Sequence, residues 1–152
     1  MSHRIIVCDQ SKCTGCGLCE LACSAKKGMI FNPLLSRIRV ARIEPFIDVA
    51  VACRFCEGAS CVASCPRRAL KQDSATGIIR LDEDKCTGCS WCIEACEFGA
   101  MTVPFGKKTV ASCDLCDGKP LCVEICPKKA LELLTPNAIS NRARKSAVER
   151  LY

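Results

Sequence analysis

Cysteine decides what this chain can become, because sixteen of its 17 cysteines fall into four tight groups of four. Cys13, Cys16, Cys19 and Cys23 give the spacing C-x2-C-x2-C-x3-C, and Cys86, Cys89, Cys92 and Cys96 repeat it. Cys53, Cys56, Cys61 and Cys65 give C-x2-C-x4-C-x3-C, and Cys113, Cys116, Cys122 and Cys126 give C-x2-C-x5-C-x3-C. Four thiols crowded into each short loop must close around something.

The rest of the composition says the same. Removing the 17 cysteines from the 49% apolar fraction leaves about 38%, with five Phe, one Trp and one Tyr among 152 residues. That is thin for a domain that must bury most of its unfolded surface. Disulfides, zinc or iron–sulfur clusters are the candidate supports. The odd cysteine count argues against disulfides. The opening Met1–Val7 runs into the first motif without the charged and apolar regions of a secretory signal. No run of 18 apolar residues predicts a membrane span. The expectation is reduced, metal-binding thiols in the cytoplasm.

Structural zinc usually takes two C-x2-C pairs across a longer loop. These groups are more compact, and His3 is the only histidine, read as an exposed terminal residue. Four [4Fe-4S] clusters are the expectation. The charge must then be corrected. A cubane of about +2 within four thiolates adds about −2, and four of them take the formal +6 to roughly −2. No nucleic-acid partner is expected.

An internal repeat organises the motifs. Residues 5–23 match 78–96 at Ile5/Ile78, Ile6/Ile79, Asp9/Asp82 and Lys12/Lys85, and through Cys13-Thr14-Gly15-Cys16 against Cys86-Thr87-Gly88-Cys89. Cys61-Val62-x2-Cys65-Pro66-Arg67-Arg68-Ala69-Leu70 matches Cys122-Val123-x2-Cys126-Pro127-Lys128-Lys129-Ala130-Leu131. The order is A-B-A′-B′. Gly15 and Gly88 sit where a tight thiolate loop needs positive φ, and backbone N–H groups there can point at sulfur.

Secondary structure is expected to be sparse. Residues 4–8 and 77–81 read as strands leading into A and A′, and residues after each third cysteine as one or two helical turns. In the connecting segment 24–52, alternation over 37–42 predicts a strand with one wet face, ended by Pro45. Residues 1–136 form the cluster-bearing domain. In the basic tail 137–152, Ile139, Ala143, Ala147 and Leu151 recur every four positions. Two readings stand: an amphipathic helix that docks on a partner, and a solvated terminus.

Cys8 aligns with Leu81, so it reads as a buried structural thiol and not a ligand. Trp91 aligns with Leu18 and is expected to shield a cluster from water. The pairs Arg67-Arg68 and Lys128-Lys129 read as charge compensation near the clusters. No Gly-rich phosphate loop or nucleophile–base set is visible, so there are no catalytic residues and the chain is not an enzyme on its own.

The 16-cysteine pattern over residues 4–134 resembles the four-cluster, ferredoxin-like electron-transfer subunits of molybdopterin and tungstopterin oxidoreductases and related hydrogenases. Cys113-Asp114-Leu115-Cys116-Asp117-Gly118, Asn32-Pro33 and Ser36-Arg37-Ile38 are similar to the small cytoplasmic members that accompany tungsten aldehyde oxidoreductases or benzoyl-CoA reductases of anaerobic metabolism. The resemblance implies an α+β fold of two duplicated ferredoxin-like halves, with four clusters in a chain. It also implies a large catalytic partner subunit, holding tungsten- or molybdenum-pterin or a hydrogenase centre, and a further redox subunit or ferredoxin as outside carrier. A standalone polyferredoxin is the alternative. Glu97, after Cys96, departs from the family's usual proline and puts the local turn in question.

Ligand sharing has two solutions. In a two-cluster ferredoxin, three cysteines of one motif join the last cysteine of the other, and the repeat allows A with B and A′ with B′, or A with B′ and B with A′. The resemblance favours the second. It implies Cys13, Cys16 and Cys19 with Cys126; Cys113, Cys116 and Cys122 with Cys23; Cys53, Cys56 and Cys61 with Cys96; and Cys86, Cys89 and Cys92 with Cys65.

Overall fold

The computed structural model describes residues 3–43, 47–149 and 151. Pro45, expected to end a strand, lies outside the described residues, as do Arg150 and Tyr152 of the tail.

Three two-stranded antiparallel sheets frame the chain. β1 (Ile5–Cys8) pairs with β6 (Leu131–Leu134), with Ile5 opposite Leu134 and Cys8 opposite Leu131. β4 (Leu70–Gln72) pairs with β5 (Ile79–Leu81). The first pair joins the two ends of the cysteine-rich region, and the second joins its middle. Both sheets continue into the same contact: the Asp9 N–H donates to the Ala130 carbonyl at 2.7 Å, and the Asp82 N–H to the Ala69 carbonyl at 2.8 Å. Strands at 4–8 and 77–81 were expected, and the structure trims each slightly.

The third sheet is a hairpin, β2 (Arg39–Ile43) against β3 (Ile47–Val51). Alternation marks β2, but β3 escapes the sequence reading. Its Ala50 is buried while Ile47 stays exposed, so its apolar pattern does not report its faces.

A helix carries the third cysteine of each motif. α1 (Leu18–Gly28) holds Cys19, α2 (Ser60–Ala63) Cys61, α3 (Trp91–Glu94) Cys92 and α4 (Leu121–Glu124) Cys122. These helices begin just before the third cysteine, one step earlier than expected. α1 packs on α4, and α2 on α3. The first and last motifs therefore form one body and the middle two another, with residues of both in a shared core around fully buried Phe55 and Ile38.

The tail is a helix, α5 (Pro136–Glu149). Ile139 packs on the core, and the Arg142 guanidinium reaches Glu132 of β6 at 2.9 Å. Ala143, Ala147 and Leu151 face outward, so only the first residue of the expected stripe is covered. His3 is half-buried beside Gly77 rather than exposed. Trp91 is 61% exposed and its ring does not seal the interior, contrary to expectation. Its helix is only four residues long and holds position 91 at its outer start.

Candidate metal centres

The loops that carry the cysteines depend on left-handed backbone at matched positions. Gly15 and Gly88 have φ of 62° and 69°. A Cβ at Gly15 would collide with the Asp48 carboxylate, and one at Gly88 with the Lys108 carbonyl. Both motifs were read as needing glycine there, and the structure supplies a second reason, crowding from outside the loop. In B and B′ the equivalent residues Phe55 and Leu115 take φ of 51° and 58° while buried. Side chains rarely hold that conformation unless the surroundings fix them.

The turn after each fourth cysteine also recurs. Ala69, Ala100 and Ala130 each donate a backbone N–H to the sulfur four residues back, Cys65, Cys96 and Cys126, all at 3.3 Å. Arg68, Gly99 and Lys129 occupy one left-handed position in this turn, with φ of 51°, 59° and 49°. Glu97 therefore leaves the turn unchanged, since Gly99 supplies the same geometry. In the first motif α1 runs on past Cys23, and the N–H of distant Arg37 meets that sulfur at 3.3 Å instead. Such N–H groups favour negative charge on sulfur.

The sulfurs gather in sets drawn from different motifs. One cavity of about 320 Å³, partly open to solvent, is lined by Cys86, Cys89, Cys92 and Cys65. Another, of about 370 Å³, is lined by Cys13, Cys16, Cys19 and Cys126. A third, of about 320 Å³, holds Cys113, Cys116, Cys122 and Cys23. The remaining four stand close enough to act on one another. The Cys56 and Cys61 thiols are raised by burial and then by the charge of Cys96, and Cys53 by burial and then in part by Cys61 and Cys56.

Burial dominates the thiol chemistry. It pushes Cys19, Cys53 and Cys122 up to about 12, and Cys92 and Cys113 to about 11. Cys65 goes the other way. Burial raises it, but backbone N–H groups of Ala69, Leu70, Arg67 and Arg68 outweigh this and hold it below the ordinary thiol value. Arg67 and Arg68 thus act on this sulfur through their main chain.

Neighbouring sets also feel one another after burial: Cys122 that of Cys19, Cys53 that of Cys113, and Cys92 that of Cys61. Packing agrees for two of these pairs: α1, with Cys19, lies on α4, with Cys122, and α2, with Cys61, lies on α3, with Cys92.

The donor chemistry fits iron–sulfur clusters. Each set offers four sulfurs and no imidazole, and the one carboxylate lining these cavities, Asp114, is engaged by Lys27 and Arg37. Among the described residues no three His, Cys, Asp or Glu side chains converge tightly enough for a single metal ion. Three of the sets line a cavity each, where a multi-iron core would sit. Cys8 lies beside the Cys13 set, with its thiol raised to about 11 by burial, and accepts the Ala50 N–H at 3.4 Å.

Residues 46–135 match the model of a 4Fe-4S dicluster domain, and residues 10–26 that of a 4Fe-4S binding domain. The polyferredoxin-like subunit of aliphatic sulfonate oxidoreductase from Pyrococcus furiosus is 42% identical over 135 residues, covering 87% of this chain and 78% of that protein. The beta subunit of NADH-dependent phenylglyoxylate dehydrogenase from Aromatoleum evansii is 36% identical over 143 residues, 92% of this chain but 32% of that protein. Among solved structures, a chain of the active site complex BamBC of benzoyl coenzyme A reductase superposes with a TM-score of 0.54 at 28% identity. The match covers 89% of this chain and 77% of that one.

Proposed function

Since the chain belongs to the 4Fe-4S dicluster ferredoxin family, we propose that it is the electron-transfer subunit of an oxidoreductase complex, with four [4Fe-4S] clusters held in a line. The observation that carries this reading is the gathering of the cysteines into sets drawn from paired motifs, three of them lining a cavity each, with α1 packed on α4 and α2 on α3. When bound, such clusters supply one-electron carriers.

The chain's own residues do the rest. Cys13, Cys16, Cys19 and Cys126 hold the first cluster and Cys113, Cys116, Cys122 and Cys23 the second. Cys53, Cys56, Cys61 and Cys96 hold the third and Cys86, Cys89, Cys92 and Cys65 the fourth; Cys8 remains outside the ligand set. Ile6 and Ile38 cover the second site, and Leu70, Leu81 and Val110 the fourth, excluding water on those sides. Cys16, Cys56 and Cys89 are exposed, so the first, third and fourth sites each reach the surface. That suits a subunit that passes charge between a partner and an outside carrier.

The two strand pairs and matched turns support a duplicated ferredoxin-like origin for residues 1–136, with 137–152 an appendage. The relatives' names, a subunit of an aliphatic sulfonate oxidoreductase and a benzoyl coenzyme A reductase complex, favour a catalytic oxidoreductase partner. The resemblance of the cysteine pattern adds a tungsten- or molybdenum-pterin centre in that partner and a place in the cytoplasm of an anaerobe. Anaerobic purification of the tagged chain tests the reading. A co-purifying larger subunit is expected, and a chain that purifies alone with its clusters loaded would make it a standalone polyferredoxin.

A further inference from the structure

A wide cleft, about 1,720 Å³ with its open mouth, is lined by no cysteine and adjoins two of the cysteine cavities, sharing Leu70, Leu81 and Val110 with one and Lys27, Arg37 and Asp114 with the other. One wall carries Lys27, Arg37 and Asp114 from the first–last body, and the other Arg80, Lys107 and Thr109 from the middle of the chain. Asp114 is already engaged by Lys27 and Arg37. Arg80 and Lys107 make no ion pair with another described residue, while Glu83 and Asp117 are the other acids on the lining. Four cations face three acids on the lining, a net of +1, and Arg80 and Lys107 supply the cations outside any ion pair among the described residues.

Its edge continues into an apolar surface. Leu35 and Pro104 line the cleft, and their chain neighbours Leu34 and Phe105 are tied by the Phe105 N–H to the Leu34 carbonyl at 3.1 Å. Beside them Met29 is 92% exposed, Phe31 77% and Phe105 68%, with Ile30 and Leu34 half exposed. Met29 sits at the end of α1 with φ of 55°, a conformation glycine usually supplies, which holds its side chain outward. Underneath, the Arg39 guanidinium clamps the Pro33 and Leu34 carbonyls at 2.6 and 3.1 Å, fixing the loop that displays these residues. Contiguous Met and Phe side chains beside unpaired cations form the composition of a protein interface core, and monomers rarely leave such a patch open.

We infer that this apolar patch and cationic cleft are the docking surface for the catalytic subunit, and that they receive a segment with apolar side chains flanked by Asp and Glu. The inference rests on the subunit reading above. A second copy of the chain fits poorly, because it would set cationic rims against each other.

The test uses the complex purified anaerobically through a tag on this chain. Phe31→p-benzoylphenylalanine and Phe105→p-benzoylphenylalanine place photo-reactive groups in the patch, and Val148→p-benzoylphenylalanine places one on α5 as control. Adducts from 31 and 105 to the larger subunit, at an acidic and apolar peptide, and none from 148, are expected. An Arg80→Glu/Lys107→Glu double variant should retain the larger subunit at least tenfold less well at low salt, with iron content unchanged. A co-purifying partner that cross-links only from 148 overturns the docking surface and leaves the subunit reading intact. Adducts to a second copy of the chain, or unchanged retention of the double variant, overturn the assignment of an acidic partner segment. A chain that carries its clusters but brings down no partner overturns both readings.

Discussion

The ammonium of Lys27 stands 2.6 Å from the carboxylate of Asp114, 87 residues away in sequence. The Arg37 guanidinium meets the same oxygen at 2.8 Å. Asp114 lies between Cys113 and Cys116, and its other oxygen accepts the Cys116 N–H at 3.0 Å. One carboxylate thus ties the end of α1 and the connecting segment to the loop that carries two sulfurs of the second set.

Asp114→Asn should therefore loosen that set first. Burial raises the Asp114 pKa, but Lys27, the Cys116 N–H and Arg37 outweigh it and hold the carboxyl below its ordinary range. A depressed carboxyl pKa contributes stability above the unfolded pKa and loses it as pH falls through the folded one. The variant should be destabilised by about 1–2 kcal/mol, evenly from pH 8 to pH 5. Denaturant titration of the loaded protein across that range checks this, and a difference that grows between pH 5 and 8 would contradict it.

Iron loading should release protons. A free cysteine is mostly protonated at neutral pH, and burial in the fold pushes Cys19, Cys53 and Cys122 further the same way, while cluster ligands are thiolates. Reconstitution with iron and sulfide should speed up from pH 7 to pH 9 and acidify a weakly buffered solution. A rate independent of pH would contradict ligation by thiolates.

The grouping of the cysteines was legible because a four-thiol site writes itself into spacing. Sixteen cysteines in four groups, with Gly15 and Gly88 at the tight turns, required no tertiary knowledge. What stayed hidden depends on distant contacts. Arg37 reaches Cys23 from fourteen residues away, and nothing in the motif signals this. Lys27 and Asp114 look like ordinary solvated charges until α1 packs on α4. Trp91 looked like a lid because its position is apolar in both repeats, yet a four-residue helix leaves it outside. β3 escaped notice because strand propensity is weak evidence when only Ala50 is buried.

The fold should depend on its metal. The core around Phe55 is largely cysteine, isoleucine and alanine, too small to carry 152 residues without further support. Chelated protein should lose cooperative unfolding and its near-ultraviolet circular dichroism. Apo protein that melts as sharply as the loaded form would refute this.

Anaerobically purified chain should carry about sixteen iron and sixteen sulfide, as four Fe4S4 sites require. A value near eight iron, or stoichiometric zinc, would overturn the four-cluster assignment.

The pairing of first with last motif is the central claim, and it is tested at long range. Cys126 shares a cavity with Cys13, Cys16 and Cys19, although 113 positions separate it from Cys13. Electron paramagnetic resonance of the reduced protein resolves which cluster a ligand change disturbs. Cys126→Ser and Cys13→Ser should alter the same signal and leave the signal altered by Cys86→Ser untouched. If Cys126→Ser instead disturbs the cluster that Cys86→Ser disturbs, adjacent motifs pair and the first-with-last pairing is wrong.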